Sequence, residues 1–397
     1  MNFELGEKEI RLREEVRQFV KENLPKGQVP YFEEHDDKEW DFGLSIAKKL
    51  SKKGWLTITW PKEYGGMGAS EWERAVYLEE VGYWGIPGYS MGVSGIMWVG
   101  PSIMLFGSED QKKKYVPAIA SGEPDGVWCT GYSEPDAGSD FASLQTRAEK
   151  KGDRYIVNGQ KVWISAAHRA RWCWLAARTA PSGPKKHDGI SIIIVDMKSK
   201  GVTVRPIINF YGFHLFNEIF FNDVEVPVEN LVGIENQGWR QLMQSLGFER
   251  GNSALVAYGE SKRLLDELIH YAKENEIIQK PYIRQKLADV AIEIETFKVL
   301  AYESVWKRSK GIRIIWEPSR DKAFRDMVND QLSRVGTEII GAYSQVDPLK
   351  TDSRWSKLRG RAERIYYRWT GYASAAGTTD NQRNIIGQFG LQLPKAY

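Results

Sequence analysis

The stretch Tyr155-Ile156-Val157-Asn158-Gly159-Gln160-Lys161-Val162-Trp163-Ile164-Ser165 decides the fold. Its β-branched and aromatic residues suit a pleated, half-buried surface. Asn158-Gly159 lies between two strand-like runs, and an Asn-Gly pair in that setting predicts a hairpin turn. From about Gly126 onward the same short period recurs. Val127–Thr130, Arg147-Ala148, Trp172–Ala177, Ile190–Asp196, Val202–Ile208 and Glu218–Val226 read as further strands separated by turn residues. Together they predict a β barrel or sandwich.

On both sides of this region the period is helical. Leu12, Val16, Phe19, Val20 and Leu24 form one apolar stripe over Glu7–Leu24, and Pro25 stops it. Trp40–Lys53, Glu71 to about Val81, Val93–Phe106 and Glu109–Ile119 repeat the pattern, with a loop at Trp60–Gly66. After Pro227 helices return at Leu264–Lys273, Ile283–Ser309, Ser319–Ile340 and finally Tyr366–Ala376, while Val346–Trp355 reads as a loop. The fold class is therefore α+β. The domains are expected at 1–124 (helical), 125–234 (β) and 235–397 (a helical bundle).

Composition narrows the function. The chain has 397 residues, 42% of them hydrophobic, and a net charge of +3 with acid and base interspersed. That supports a sizeable core and gives no argument for nucleic acid. The basic cluster at Lys357–Arg364 reads as a solvated helix face. No apolar run is long enough to span a bilayer, and the start of the chain lacks the build of a signal peptide. Cys129 and Cys173 make no disulfide framework, so a reducing, cytoplasmic setting is expected. The five histidines show no ligand spacing, and no metal is expected. Fifteen tryptophans suggest large flat surfaces in the core or around a flat ligand.

One carboxylate stands out. In Trp239–Gly259, Leu242, Leu246, Glu249, Ser253 and Val256 share a helical face. Glu249 is the acid on that face and is followed at once by Arg250. Either the two form an ion pair under a helix kink at Gly251, or burial raises the Glu249 pKa towards that of a general base.

Four strings in order resemble those of the acyl-CoA dehydrogenase flavoproteins, and the resemblance covers essentially the whole chain. They are Trp60-Pro61-Lys62-Glu63-Tyr64-Gly65-Gly66, Tyr132-Ser133-Glu134-Pro135-Asp136-Ala137-Gly138-Ser139-Asp140, Asn158–Ser165, and Gly377-Thr378-Thr379-Asp380-Asn381-Gln382-Arg383-Asn384. The family fold is a helical domain, a β domain and a four-helix carboxy-terminal domain. Its members remove an α-proton from an acyl-CoA thioester while the β-hydrogen leaves as hydride to the N5 of FAD, giving the 2-enoyl-CoA. By resemblance, Thr130–Ser133 lines the flavin through Thr130, Tyr132 and the Ser133 hydroxyl. Trp163 lies against the flavin and Ser165 approaches N5. Ser139 contacts the CoA part of the substrate. Thr378 and Asp380 stand near the dinucleotide end, Asp380 replacing a commoner Gln or Glu.

The commonest family base precedes the glycine matching Gly377. Here that residue is Ala376, which cannot take a proton. Leu246-Gly247-Phe248-Glu249-Arg250 matches the string in which a smaller set of members carries the base. The resemblance therefore implies Glu249 as base, the Ala376 backbone N–H as a donor to the thioester oxygen, and Arg250 at the CoA or in local charge balance. Two departures set the chain apart. Asn275–Arg284 lacks the family's Arg-Phe-Gly, and Ile340-Gly341-Ala342-Tyr343 stands where Gly-Gly is usual. Both features are similar to a divergent bacterial branch acting on branched, ring-bearing or steroid side-chain acyl-CoAs, some of whose members are heteromers. The implied partners are an acyl-CoA, an electron-transfer flavoprotein and further subunits in a homotetramer or heterotetramer. Two other functions fit the same strings: an acyl-CoA oxidase using oxygen, and a catalytically silent subunit.

Overall fold

The computed structural model describes residues 2–25, 37–89, 93–210, 212–346 and 354–394, with the side chains of 248–252 and 372 outside the description. The loop read at Val346–Trp355 lies largely outside the described residues. The elements run in the order helix, sheet, helix. Helices α1 (Glu7–Asn23), α2 (Asp37–Lys52), α3 (Glu71–Trp84), α4 (Gly100–Phe106) and α5 (Glu109–Ser121) come first. Strands follow: β1 (Trp128–Gly131), β2 (Arg147–Lys151), β3 (Arg154–Ser165), β4 (Trp172–Arg178), β5 (Ile190–Asp196), β6 (Val202–Ile208), β7 (His214–Pro227) and β8 (Leu231–Val232). Helices α6 (Gly238–Glu274), α7 (Pro281–Ser309), α8 (Glu317–Ile340), α9 (Arg361–Tyr372) and α10 (Thr379–Ile385) complete the chain. Among the described residues no helix is long and apolar enough to cross a membrane.

The chain folds as two compact units. One holds residues 1–30, 70–86 and 250–397, the other 31–69 and 87–249.

In the helical unit, α1 buries Leu12, Val16, Phe19 and Val20, the stripe expected from spacing. Ser70 and Glu73 form a reciprocal capping box that starts α3. Two glycines set how closely α3 and α6 cross. A Cβ on Gly82 would stand 2.0 Å from the Val256 carbonyl oxygen, and one on Gly259 would stand 2.3 Å from that of Glu79. Backbone therefore packs on backbone at this crossing. Helices α7 and α8 bury Val290, Ile294, Phe297, Val328 and Leu332. Arg361, read as part of a solvated basic face, is instead buried beside Glu267, with Nε and Oε2 2.8 Å apart. Tyr366–Ala376 is not the final helix. Helix α9 ends at Tyr372, and Thr378 accepts from the Asn381 N–H at 3.1 Å to cap α10.

In the sheet unit the strands pair in the order β6-β7-β3-β2-β4-β5-β8, with β1 parallel to β4. Its core gathers Cys129, Ala148, Tyr155, Val157, Cys173, Leu175, Ile193 and Phe221. Cys129 and Cys173 lie opposite each other on β1 and β4, and both are free thiols. Helix α5 meets the sheet through Tyr115, edge-on to Trp128 and Trp172 at 5.3 and 5.0 Å.

The hairpin expected at Asn158-Gly159 is not there. Both residues lie inside β3, and the turn joining β2 to β3 is Gly152-Asp153, flanked by the pair Lys151 and Arg154. The reason is a bulge on the neighbouring strand. Between the pairs Val157–Val224 and Gly159–Phe221, β7 carries one extra residue, and Asp223 there takes a φ of 49°. Asn158 spans the bulge: its Nδ2 donates to Asp223 Oδ1, and its Oδ1 accepts from the Asp223 N–H, both at 2.9 Å. Gly159 admits Thr146, whose Oγ1 would stand 2.5 Å from a Cβ at that position. The Asn-Gly pair thus serves a bulge and a close approach rather than a turn.

Candidate active site

Three of the residues singled out, Thr130, Tyr132 and Ser133, lie on β1 and the segment leaving it. They are tied to β3. The Val162 N–H donates to the Ser133 carbonyl at 2.9 Å, and Lys161 Nζ donates to the Tyr132 carbonyl at 3.0 Å. Lys161 is fully buried and also reaches Glu134 Oε1 at 2.8 Å. Glu134 in turn accepts from the Gln145 and Thr146 N–H groups. Burial alone would raise its pKa, but the ammonium and these donors hold it below the usual carboxylate range. Two strings distant in sequence are thus pinned by one ion pair. Neither Lys161 nor Glu134 was singled out from sequence. Their only signal was that each sits inside a matched string.

The next feature is a second bulge, this one on β3. Between the pairs Lys161–Ile219 and Ile164–Asn217, β3 has one residue more than β7. Trp163 takes a φ of 61° there, and Ala166 one of 54°. Such angles are uncommon for residues with a Cβ. The bulge turns the Trp163 indole out of the sheet, where it is 61% exposed and meets Phe216 edge-on at 6.2 Å. Ser165 is exposed beside it, and Ser133 is half-buried. Fully buried Asn217 lies across from Ile164. Its Nδ2 donates to the Ile164 carbonyl at 3.0 Å. It also contacts His168 Nδ1 at 3.2 Å and His214 Nε2 at 2.7 Å. Nothing in the sequence pattern had pointed to Asn217.

Ser139 is exposed. Two residues on, Phe141 belongs to a row of rings: Tyr132 to Phe141 at 5.5 Å, Phe141 to Trp239 at 6.1 Å, and Trp239 stacked on His187 at 4.9 Å. The Tyr132 hydroxyl also bonds Ser245 at 3.2 Å, so the start of α6 joins the same surface.

Glu249 and Arg250 are helical in backbone, within α6, but their side chains lie outside the described residues. The structure therefore neither pairs nor separates them. Ala376, Thr378 and Asp380 belong to the helical unit. Ala376 is exposed with a φ of 51°, its carbonyl accepting from Gln382 Nε2 at 3.3 Å. Asp380 is exposed and pairs with Arg383 at 3.1 Å.

Comparison with known proteins agrees with this architecture. Residues 6–123, 129–224 and 236–391 match the models of the acyl-CoA dehydrogenase N-terminal, middle and C-terminal domains. The chain is 34% identical over 359 residues to acyl-CoA dehydrogenase FadE26 of Mycobacterium tuberculosis, covering 88% of this chain and 87% of that protein. Among solved structures it is similar to the Tcur3481–Tcur3483 steroid ACAD, with a TM-score of 0.91, 31% identity and all of both chains covered. It is also similar to the ChsE4–ChsE5 complex from Mycobacterium tuberculosis, with a TM-score of 0.86, 30% identity and the same full coverage. The chain belongs to the acyl-CoA dehydrogenase family, FAD-dependent enzymes that dehydrogenate acyl-CoA thioesters.

Proposed function

We propose that this protein dehydrogenates a bulky acyl-CoA, bearing a ring or branch near the thioester, with Glu249 as α-proton base and an electron-transfer flavoprotein as acceptor. The observation that carries this reading is the outward presentation of Trp163 at the β3 bulge. An exposed indole offers a flat face, and no described residue hydrogen-bonds the hydroxyls of Thr130, Ser133 or Ser165. That donor set suits a flat heterocycle with polar edges, and FAD fits it. Bound there, FAD would accept the β-hydrogen as hydride.

The remaining roles fall to the chain. Trp163 packs the ring, while Ser133 and Ser165 address its polar edge. Glu249 takes the α-proton, the Ala376 N–H steadies the thioester oxygen as it gains charge, and Ser139 and Arg250 hold the CoA. Thr378 and Asp380 stand towards the dinucleotide, Asp380 only by giving up Arg383. The preference for a bulky acyl group draws support from the likeness to a steroid ACAD. The likeness to the ChsE4–ChsE5 complex supports a heteromeric assembly over a homotetramer. The division at 1–124, 125–234 and 235–397 and a cytoplasmic location complete the reading, the latter in keeping with two free cysteines.

Ala376 at the commonest family base position favours a second reading, a silent subunit supporting an active partner. A visible spectrum followed by anaerobic titration with linear, branched and steroid side-chain acyl-CoAs separates the two. Bleaching of the flavin band by one class, lost in Glu249→Gln with flavin retained, supports the enzyme. A protein that stays colourless after reconstitution with FAD is the silent subunit.

A further inference from the structure

Asn217 makes three polar contacts, and their donor pattern fixes its orientation. The amide nitrogen has two hydrogens. One goes to the Ile164 carbonyl at 3.0 Å, the other to His168 Nδ1 at 3.2 Å. The amide oxygen then accepts from His214 Nε2 at 2.7 Å. This requires a bare Nδ1 on His168 and a protonated Nε2 on His214. The two imidazoles stack at 3.9 Å with a 21° tilt. Burial, then His214 and Arg169, pull His168 down to about 4, in keeping with a bare Nδ1. The cluster has one self-consistent hydrogen-bond pattern.

What the cluster holds is the peptide between Ile164 and Ser165. In a trans peptide the C=O and the next N–H point in opposite directions. Pinning the Ile164 carbonyl towards β7 turns the Ser165 N–H away from β7. The Ala166 N–H is also tied to the Leu215 carbonyl, at 3.0 Å. The residues between two positive-φ positions, Trp163 and Ala166, are thus clamped from one side. Strained backbone persists only when its surroundings over-determine it.

We propose that Asn217 is a positioning residue for the flavin reaction: oriented by His214 and His168, it aims Ser165 and Trp163 at the cofactor. The inference rests on the reading that these two residues meet the flavin. Asn217 is fully buried and acts through the Ile164 carbonyl. Its role is to set a peptide plane, a task that ordinary packing of β7 would not require of an amide.

The test uses the FAD-loaded protein and three variants. Asn217→Leu keeps the volume and removes all three bonds. His214→Phe keeps the ring stack but removes the donor to the Asn217 oxygen, and His214→Gln restores a donor. Measured are the FAD dissociation constant, by quenching of flavin fluorescence, and the rate of flavin bleaching by the best acyl-CoA. Asn217→Leu and His214→Phe are expected to weaken FAD binding and slow bleaching at least tenfold each, with acyl-CoA affinity within twofold of wild type and far-ultraviolet circular dichroism unchanged. His214→Gln is expected to recover most of the loss. Wild-type FAD affinity and bleaching rate in His214→Phe would overturn the proposal, even if Asn217→Leu fails to fold. A wild-type protein that binds no FAD would overturn the functional reading itself, and this inference with it.

Discussion

Lys161 Nζ lies 2.8 Å from Glu134 Oε1, with the lysine wholly buried and the carboxylate 7% exposed. The pair joins β3 to the segment after β1 and holds the Tyr132 carbonyl between them. Removing one partner would leave the other charge buried without its counter-ion, a loss of about 3–5 kcal/mol. Lys161→Met is therefore expected to destabilise the sheet unit by that order in urea unfolding. The double variant Lys161→Met/Glu134→Gln should recover part of the loss. A single variant as stable as wild type would show that the pair adds nothing.

Replacing Glu249 by Gln should leave the protein folded and yellow, since no flavin contact is assigned to that side chain. A positioned general base contributes about 10²–10⁴-fold. Flavin bleaching by acyl-CoA should slow by at least the lower figure. Stopped-flow absorbance measures this, and an unchanged rate would move the base elsewhere in the chain.

Glu363 is 3% exposed, and burial outweighs the help its carboxylate draws from its own backbone N–H and the nearby Arg364 charge. Burial pushes its carboxyl up to about 7. The folded state thus keeps a proton that the unfolded chain releases near pH 4.5. The burden is absent below that pH, grows as pH rises towards 7, and is constant above. Glu363→Gln should therefore stabilise the protein at pH 8 by up to about 3 kcal/mol and leave it unchanged at pH 4.5. Denaturant midpoints of both proteins across pH 4.5–8 would reveal parallel curves if the argument fails.

The α3–α6 crossing allows no side chain at Gly82. An alanine methyl there would overlap the Val256 carbonyl, which stands 2.0 Å from the position of a Cβ. Overpacking of this kind costs about 1–3 kcal/mol, and more where backbone must move. Gly82→Ala should lower the thermal midpoint by several degrees, whereas Gly247→Ala, with nothing within 4 Å, should not.

Much of the architecture could be read from the chain because apolar spacing reports which face is buried. The α1 stripe and strands such as Ile190–Asp196 carry that signal unaided. What failed was local chemistry overruled by tertiary partners. Asn158-Gly159 has the composition of a turn, but Asp223 and Thr146 claim it for a strand. Helix α10 starts beyond the last helix read from spacing, capped by the Thr378 hydroxyl. The matched strings pointed to Trp163 and Ser165 but not to what braces them. Asn217 is distant in sequence, and its contacts exist only once β3 and β7 are in register.

The bulge at Trp163 separates the determinants of the sheet from those of the site. Tyr155, Val157 and Lys161 are buried at odd positions of β3, and Val162 and Ile164 at even ones. Alternation changes parity between them. Loss of the single codon for Val162 would restore a regular strand, with Lys161 and Ile164 both still inward and Trp163 back in the pleat. A protein so shortened should keep its β-sheet signal in circular dichroism yet lose its flavin. One residue of strand length thus governs how Trp163 is presented, at the expense of the buried Val162.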